Sequence, residues 1–416
     1  MGKLKKYPTL RFKGRDGMQY PNWEEIKLKD LLDVRDERQI PSEEAPLMAF
    51  TSTGGVEEKG DRYNREFLVK DENKKYKRTE LNDIIYSSNN LDVGAIGRNK
   101  YGTAVISDVY EIFKPRENIK PEFMEILIRR RSFLNSVLKY RQGALYGQYR
   151  IHANDFLDVT VIIPSLEEQE KIASFFSLID QKIVKQQEKI EQLELFKKGM
   201  LQKIFSQEIR FKDENGQVFP EWEAAHLGDL GSFIKSYSFS RNMEGEGEYQ
   251  HIHYGDIHSK FSGIILSQTE IPSLIIDSDS SYTLLEDGDV IFADASEDTS
   301  DLGKCVVLLE VDNRKIIGGL HTLCFRPDNR LDSLFLHFFT QTDEYRKFIK
   351  ANANGVSVFG LSKPALSSLE IPLPDIKEQI KISSFLYNLS RKIELLKRKK
   401  SELEEMKRGF ISQMFV

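Results

Sequence analysis

The chain has 416 residues, 60 basic against 65 acidic, and a net charge of −5. That length calls for two or three domains, and 40 % hydrophobic content supports ordinary cores. Two cysteines, Cys305 and Cys324, are too few for a disulfide framework or a cysteine-based zinc site; no run of about 18 apolar residues exists, and MGKLKKYPTL lacks the apolar stretch of a secretory signal, so a cytoplasmic protein with no membrane partner is expected.

Residues 1–23 form an opening segment that ends at Trp23, followed by a short helix or strand over Glu24 to Leu32. APLMAFTST, EFLVKD, DIIYSS and TAVISDVYEIFKP read as strands, punctuated by Asn89-Asn90, Gly94, Gly97 and Gly102. Ile119 to Tyr140 predicts one helix, RQGALYGQYRIHANDF a polar loop, and LDVTVIIP a strand. Pro164 to Phe205 then predicts a long amphipathic helix: Ile172, Phe176, Ile179, Ile183, Gln186, Ile190, Leu193, Lys197, Met200 and Ile204 alternate steps of four and three, the spacing of a coiled-coil seam. At about 1.5 Å per residue it spans roughly 60 Å, more than one small domain can cover.

From Arg210 the chain begins again. Arg11-Phe12-Lys13, Gly17, Pro21, Trp23, Leu28 and Asp30-Leu31 return at an offset of 199 as Arg210-Phe211-Lys212, Gly216, Pro220, Trp222, Leu227 and Asp229-Leu230. HIHYGDIH, GDVIFADAS, CVVLLEV and HTLCFRP read as strands, Leu331 to Lys350 as a helix, and ANANGVSVFGLSKPAL as a loop. The second long helix, Pro374 to Phe415, matches the first at an offset of 210 without a gap, with Glu378-Gln379 on Glu168-Gln169. Its seam is Ile382, Leu386, Leu389, Ile393, Leu396, Lys400, Leu403, Lys407, Phe410 and Met414. The nearest partner for each long helix is the other.

These motifs (IIPSLEEQEKIASFF with GMLQKIFSQEIRF, the RF…G…PEW…LGDL opening, and IPLPDIKEQIKISSFL) span the chain in register and closely resemble the specificity subunit of type I restriction-modification systems. The resemblance implies an α+β fold: two target-recognition domains, 1–163 and 206–373, separated by two long antiparallel helices, 164–205 and 374–416, in a pseudo-two-fold repeat. It also implies partners: double-stranded DNA, two modification (methyltransferase) subunits and restriction (translocase-nuclease) subunits. No cofactor is expected on this chain; S-adenosylmethionine, ATP and Mg are expected on the partners. Flank residues Phe175, Leu195, Leu395 and Met406 are expected to be left for the modification subunits.

Base edges are read by polar side chains on flexible loops, with aromatic neighbours. In the first half this selects Ser87, Ser88, Asn89, Asn90, Arg98, Asn99, Lys100, Tyr101, Arg141, Gln142, Tyr146, Gln148, Tyr149 and Arg150; in the second, Ser236, Tyr237, Ser238, Arg241, His253, Lys260, Ser296, His321, Ser357 and Phe359. Charge is uneven: residues 1–163 carry +4, 164–205 are neutral, 206–372 carry −13 and 373–416 carry +4. An acidic second domain opposes phosphate binding by this chain alone, so partners are expected to supply phosphate contacts. The charge also suits a rival reading, a coiled-coil adaptor whose globular ends bind proteins.

There is no GxxxxGK[ST] and no Asn-Pro-Pro-aromatic motif, so no catalytic residue is assigned. His251, His253 and His258 with Asp256 imitate a metal site but lack a clear fourth ligand, and no metal is assigned.

Overall fold

The computed structural model describes residues 8–51, 55–58, 73–91, 94–145, 148–276, 281–311 and 313–415. The predicted strand EFLVKD and Tyr146 lie outside them. The chain forms two compact units, residues 1–186 with 399–416, and residues 187–398. Each long helix is thus shared between the units rather than standing apart from them.

In the first unit, Glu24–Lys27 pairs antiparallel with Thr160–Ile163, which brings the opening segment to the start of the long helix. The main sheet is antiparallel, in the order Leu32–Val34, Tyr110–Pro115, Ile84–Ser87, Ile96–Arg98. Its strands alternate sides, as a pleat requires. Ile84, Tyr86, Ile96 and Phe113 face a core shared with Trp23, Phe123 and Phe156, whereas Ile85 and Ile112 face a smaller cluster with Met48, Phe50 and Ile106.

The single helix expected over Ile119 to Tyr140 is two, α1 (Pro121–Ile128) and α2 (Arg131–Val137), broken where Arg130 is extended at φ −73° and ψ 141°. The break lets Phe123, Met124, Leu127 and Ile128 of one helix and Phe133, Leu134 and Val137 of the other enter the same core. The loop expected next is a hairpin, Gln142–Leu145 with Gln148–Arg150, followed by the short helix α3 (Ala153–Leu157).

The helix α4 (Leu166–Phe205) contributes its residues 166–186 to this unit and 187–205 to the second. In the second unit Glu223–His226 pairs with Glu370–Leu373, repeating the first unit's arrangement. The main sheet runs Gly231–Ile234, Thr322–Pro327, Val290–Ala293, Cys305–Leu308, Ile264–Ile265, the last pair parallel. Val290 and Phe292 face one core, Ile291 and Ala293 the other. HIHYGDIH is not one strand: it is Tyr249–Ile252 followed by α5 (Tyr254–Ser259), because the His253 ring accepts a hydrogen bond from Gly255 N and caps the helix. Leu331 to Lys350 is again two helices, α6 (Ser333–Phe339) and α7 (Asp343–Asn352), the second capped by the Thr342 hydroxyl. The expected loop after it holds a narrow hairpin over residues 354–360 and α8 (Lys363–Ser367).

The last helix is α9 (Ile376–Met414). Its N-terminus is capped by Asp375, whose carboxylate accepts from Lys377 N at 2.8 Å; at α4 the Ser165 hydroxyl has no such partner. Within each unit the α4 and α9 segments run antiparallel. In the first, Phe175 meets Phe410 with ring centres 5.0 Å apart, and Asp180 pairs with Lys407; in the second, Glu194 lies 2.6 Å from Lys397. Of the seam positions, Ile172, Phe176, Ile179, Ile190, Ile204, Ile382, Leu386 and Ile393 are buried, and Ile183, Leu193, Leu389, Leu396, Leu403 and Phe410 are half-buried. The buried positions near the helix ends are not a pure helix–helix seam: Ile172, Phe176 and Ile179 join the first unit's globular core, and Ile204, Ile382 and Leu386 the second's. Phe175 is not an open flank residue, since it packs on Phe12, Phe176 and Phe410; Leu195, Leu395 and Met406 are exposed. Among the described residues no helix is long and apolar enough to cross a membrane.

Candidate nucleic-acid interface

The central strand of each main sheet begins at a buried aspartate that organises a turn. Asp83 accepts from Glu80 N at 2.7 Å and pairs with Arg35; Asp289, at an offset of 206, accepts from Glu286 N at 2.7 Å and pairs with Arg326. At its other end the strand gives way to a turn, Ser88 to Asn90 in the first unit, and to a break at Asp294 followed by the short strand Ala295–Ser296 in the second.

In the first unit, Ile151 N donates to Ser88 O at 3.2 Å, joining the end of the 142–150 hairpin to this loop. In the second, Leu361 N donates to Asp294 O at 2.8 Å. Ser88 and Asp294 are equivalent at offset 206, and Ile151 and Leu361 at offset 210. Each unit therefore places a loop and a hairpin side by side through the same backbone contact, with different side chains around it.

In the first unit the face carries Asn90 and Arg141, both exposed, half-buried Asn89, and Arg150, whose guanidinium lies 3.6 Å from Glu111 with half its side chain exposed. Gln142, Gln148 and Tyr149 lie on the hairpin strands. Ser87 and Ser88 are buried and support the loop: Ser87 N donates to Ala95 O at 2.9 Å, and the Ser88 hydroxyl to Val109 O at 3.1 Å. As a base-contacting side chain Ser88 is corrected, because its hydroxyl is committed to Val109 O, and Ser87 is buried within the strand.

Arg98, Asn99, Lys100 and Tyr101 are not part of this face. Ile84 pairs with Arg98 and Tyr86 with Ile96, so they sit at the opposite end of the strand pair from Ser87 to Asn90. Arg98 donates to Asn82 at 2.6 Å, Glu122 at 2.9 Å and Glu125 at 3.1 Å, and Lys100 lies 2.8 Å from Glu125. Burial works to raise the Glu125 carboxyl, but Lys100, Arg129 and Arg98 hold it below its ordinary value. Asn99 is fully buried; its amide oxygen accepts from Tyr101 N and Gly102 N, and its NH2 donates to Thr79 and Gly102 O. Such local side-chain bonds build a turn and leave nothing for a base. Tyr101 alone of the four is exposed without a polar partner for its hydroxyl among the described residues.

In the second unit His321, Ser296, Phe359 and His253 converge. His321 Nδ1 lies 3.1 Å from Asp294, Ser296 pairs in register with Phe359, and the Tyr254 ring bridges His253 and His321 at 4.7 and 5.3 Å between centres. His321 is half-exposed and left-handed at φ 55°, a conformation a non-glycine residue holds only where its surroundings impose it. Burial raises the Asp294 carboxyl, opposed by His321. His253 and Ser296 are buried; burial lowers the His253 imidazole, and the Ser296 hydroxyl accepts from Asp298 N at 3.3 Å, so both act as supports. Ser357 is exposed at the hairpin tip beside Val356 and Val358.

The remaining second-unit candidates lie on other elements. The Ser236 hydroxyl donates to Thr322 O at 2.6 Å, and Tyr237 packs against Phe239 and Tyr282 while its hydroxyl accepts from Thr283 N, which commits both to the fold. Ser238 is exposed, Arg241 is half-exposed and donates to Asp256 at 3.0 Å, and Lys260 is exposed beside Phe261. Tyr254, His258 and Asp294 belong to the face and were missed by sequence reasoning. Aligning Asp83 with Asp289, at offset 206, would have placed Asp294 on Ser88.

The histidines with a metal-like spacing have partners within the protein: His251 Nε2 lies 3.2 Å from Glu244, His253 Nδ1 accepts from Gly255 N, and His258 Nε2 lies 3.0 Å from Ala295 O. Among the described residues no group of three potential ligands has metal-holding geometry.

A family model described as the type I restriction modification DNA specificity domain matches twice, over residues 20–195 and 220–405. The specificity subunit of the type I restriction enzyme MjaVIII of Methanocaldococcus jannaschii is 23 % identical over 98 % of this chain and 95 % of its own length. The crystal structure of a type I restriction-modification S subunit from M. genitalium aligns with a TM-score of 0.59 at 15 % identity, covering 99 % of each chain. A chain from a solved structure concerned with complex assembly and conformational transition of the type I restriction-modification system aligns at 0.53 with 17 % identity, covering 95 % of this chain and 98 % of that one. The repeated family match covers both units and the greater part of both long helices, and the chain belongs to the specificity subunits of type I restriction-modification systems, which recognise DNA and are not themselves catalytic.

Proposed function

We propose that this chain reads an asymmetric, two-part DNA target, one part with each unit. The observation that carries the reading is the repeated loop–hairpin contact, Ile151 to Ser88 and Leu361 to Asp294. It builds one kind of platform twice, with Asn90, Arg150 and the 142–150 hairpin on one and Tyr254, His321, Asp294 and the 354–360 hairpin on the other. Different side chains on equivalent platforms favour different sequences, so the two parts of the target should differ.

DNA and the other subunits of a type I complex are the partners of such a subunit. In this reading two modification subunits dock on the long helices, where Leu195, Leu395 and Met406 are exposed, and translocase-nuclease subunits complete the cytoplasmic assembly. S-adenosylmethionine, ATP and Mg belong to those partners. Seam residues fix the register of the helices, so the helices act as the spacer between the two parts of the target. The test is methylome sequencing of a host that expresses this chain with its modification partner. A single motif of two unlike parts separated by a fixed spacer is expected; a palindromic motif, or methylation without sequence preference, would overturn the reading.

A further inference from the structure

Lys407 pairs with Asp180 in the first unit. The 210-residue repeat puts Lys197 in the place of Lys407 and Ser390 in the place of Asp180. The second unit therefore keeps the amine and lacks the carboxylate. The Ser390 hydroxyl does not substitute for it, because it donates to Leu386 O of its own helix at 2.9 Å.

Lys197 is half-buried all the same. Its ammonium has Gln341 Oε1 at 3.4 Å and the Phe338 ring centre at 5.3 Å, and among the described residues no carboxylate comes within ion-pair distance. Glu194 is already taken by Lys397 at 2.6 Å. Burial lowers the Lys197 amine from its ordinary value against the pull of Glu394 and Glu194. A half-buried cation without a counter-ion is costly, and an anion from outside relieves the cost.

There is room for one. A cavity of about 770 Å³ opens at this amine, lined among others by Ser390, Gln341, His337, Tyr387 and Ile264. That volume lies within the roughly 300–1,000 Å³ usual for small-molecule sites. Gln341 ties the cavity wall together: its amide NH2 donates to His337 Nε2 at 2.9 Å while its carbonyl faces Lys197. His337 adds no positive charge, since burial pushes its imidazole down to about 3. Lys198, Arg391 and Lys397 add positive charge at the wall against two carboxylates, Glu194, which Lys397 pairs, and Glu394, so that with Lys197 the wall stays positive on balance; Tyr387, Ile264 and Leu266 supply apolar surface.

We propose that this cavity binds a small organic carboxylate, the carboxyl group taking on Lys197 the place that Asp180 takes on Lys407, and the organic body lying against Tyr387 and Ile264. The site is separate from the loop–hairpin platform and does not depend on the DNA-reading assignment.

The test is calorimetric titration of the full-length chain with benzoate and with citrate, against chloride at equal ionic strength. Saturable binding at one site per chain is expected for at least one of them. Lys197→Met should weaken it at least tenfold. Ser390→Asp should do the same by supplying the internal carboxylate, without lowering the melting temperature, whereas Ser390→Ala should bind like the parent. Lys407→Met, in the other unit, should leave binding unchanged. Absence of saturable binding up to tens of millimolar, or undiminished binding in folded Ser390→Asp protein, would overturn the proposal.

Discussion

Arg11 and Glu168, 157 residues apart, form a two-point ion pair: the guanidinium donates through Nε at 3.0 Å and through Nη2 at 2.6 Å. Glu168 is fully buried, and Trp23 Nε1 donates to the same carboxylate at 3.2 Å. The repeat builds the contact again, with Glu378 held by Arg210 at 3.3 and 2.9 Å and by Trp222 at 3.1 Å. Next to each, Gln169 and Gln379 bridge backbone groups on either side of the helix start: Gln169 accepts from Lys120 N and donates to Pro164 O, and Gln379 accepts from Asp332 N and donates to Pro374 O. The Glu-Gln pair thus fastens the opening segment and a helix N-terminus to the first turn of α4, and again to that of α9.

Removing Arg11 strands a buried carboxylate. Arg11→Ala should therefore destabilise the first unit by about 3–5 kcal/mol, and Arg210→Ala the second by a similar amount. Glu168→Gln keeps the shape and a partial set of hydrogen bonds, so it should cost less. Urea unfolding followed by hydrogen exchange checks this. Exchange that accelerates equally in both units after a single arginine substitution would show that the clamp is not local to its unit.

A pH dependence follows from His337. Its imidazole is buried, with Nε2 accepting from Gln341 and Nδ1 3.5 Å from the Cys305 sulfur, and burial pushes it down to about 3. The unfolded chain binds this proton near pH 6.5 and the folded chain does not. Stability is therefore complete above pH 6.5 and falls as pH drops from there toward 3, with a slope of up to about 1.4 kcal/mol per pH unit from this group. Burial also lowers His251 and His253, which adds to the slope in the same direction. The unfolding free energy of the parent and of His337→Gln, measured between pH 7 and pH 5, should converge as pH falls, because the variant lacks this proton uptake. Parallel curves would contradict the assignment.

Much of this architecture was legible in the sequence because it is written twice. The long helices carry their own period, and the register of Glu168-Gln169 on Glu378-Gln379 could be read without coordinates. Where the two shorter helices break was harder to see. Arg129 and Arg130 contain no helix-breaking residue, and the break there follows from tertiary packing of Phe123 and Phe133 into one core. The break before α7 did have a local signal, Thr342-Asp343-Glu344, with a hydroxyl cap before an acidic turn. Candidate contacts were least legible. A polar residue in a turn reads the same whether it faces a ligand or builds the turn, and the partners that decide it for Arg98, Glu122 and Glu125, lie on another element.

The free subunit should bind duplex DNA weakly and with little selectivity. Residues 206–372 carry −13, and several of their cations are already paired: Arg241 with Asp256, Lys304 with Asp301, Lys315 with Glu248, Arg326 with Asp289 and Arg330 with Asp328. The acidic excess opposes phosphates across this unit, so both the affinity and its salt dependence should be small until modification subunits are added. Gel-shift titrations over a range of salt, with and without those subunits, measure both quantities. Tight and selective binding by the free subunit at physiological salt would contradict this.

The sharpest consequence of the repeated platform is that each half of the target can be altered alone. The 142–150 hairpin is tied to the first unit's loop through Ile151 and Ser88, and the 354–360 hairpin to the second's through Leu361 and Asp294. Arg150→Ala removes a half-exposed guanidinium from the first platform while leaving the Ile151 backbone bond in place. If Arg150 contacts a base edge, the loss amounts to about 1–3 kcal/mol of discrimination at one position, and if it contacts a phosphate, affinity falls without a change of motif. His321→Ala should act on the other half in the same way, although relief of its left-handed backbone needs glycine, so His321→Gly is the cleaner variant. The readout is the methylated motif in a host carrying each variant with the modification partner. Relaxation confined to one half for Arg150→Ala and to the other for His321→Gly is expected. Loss of both halves together in a folded variant would mean that the two platforms do not read separately.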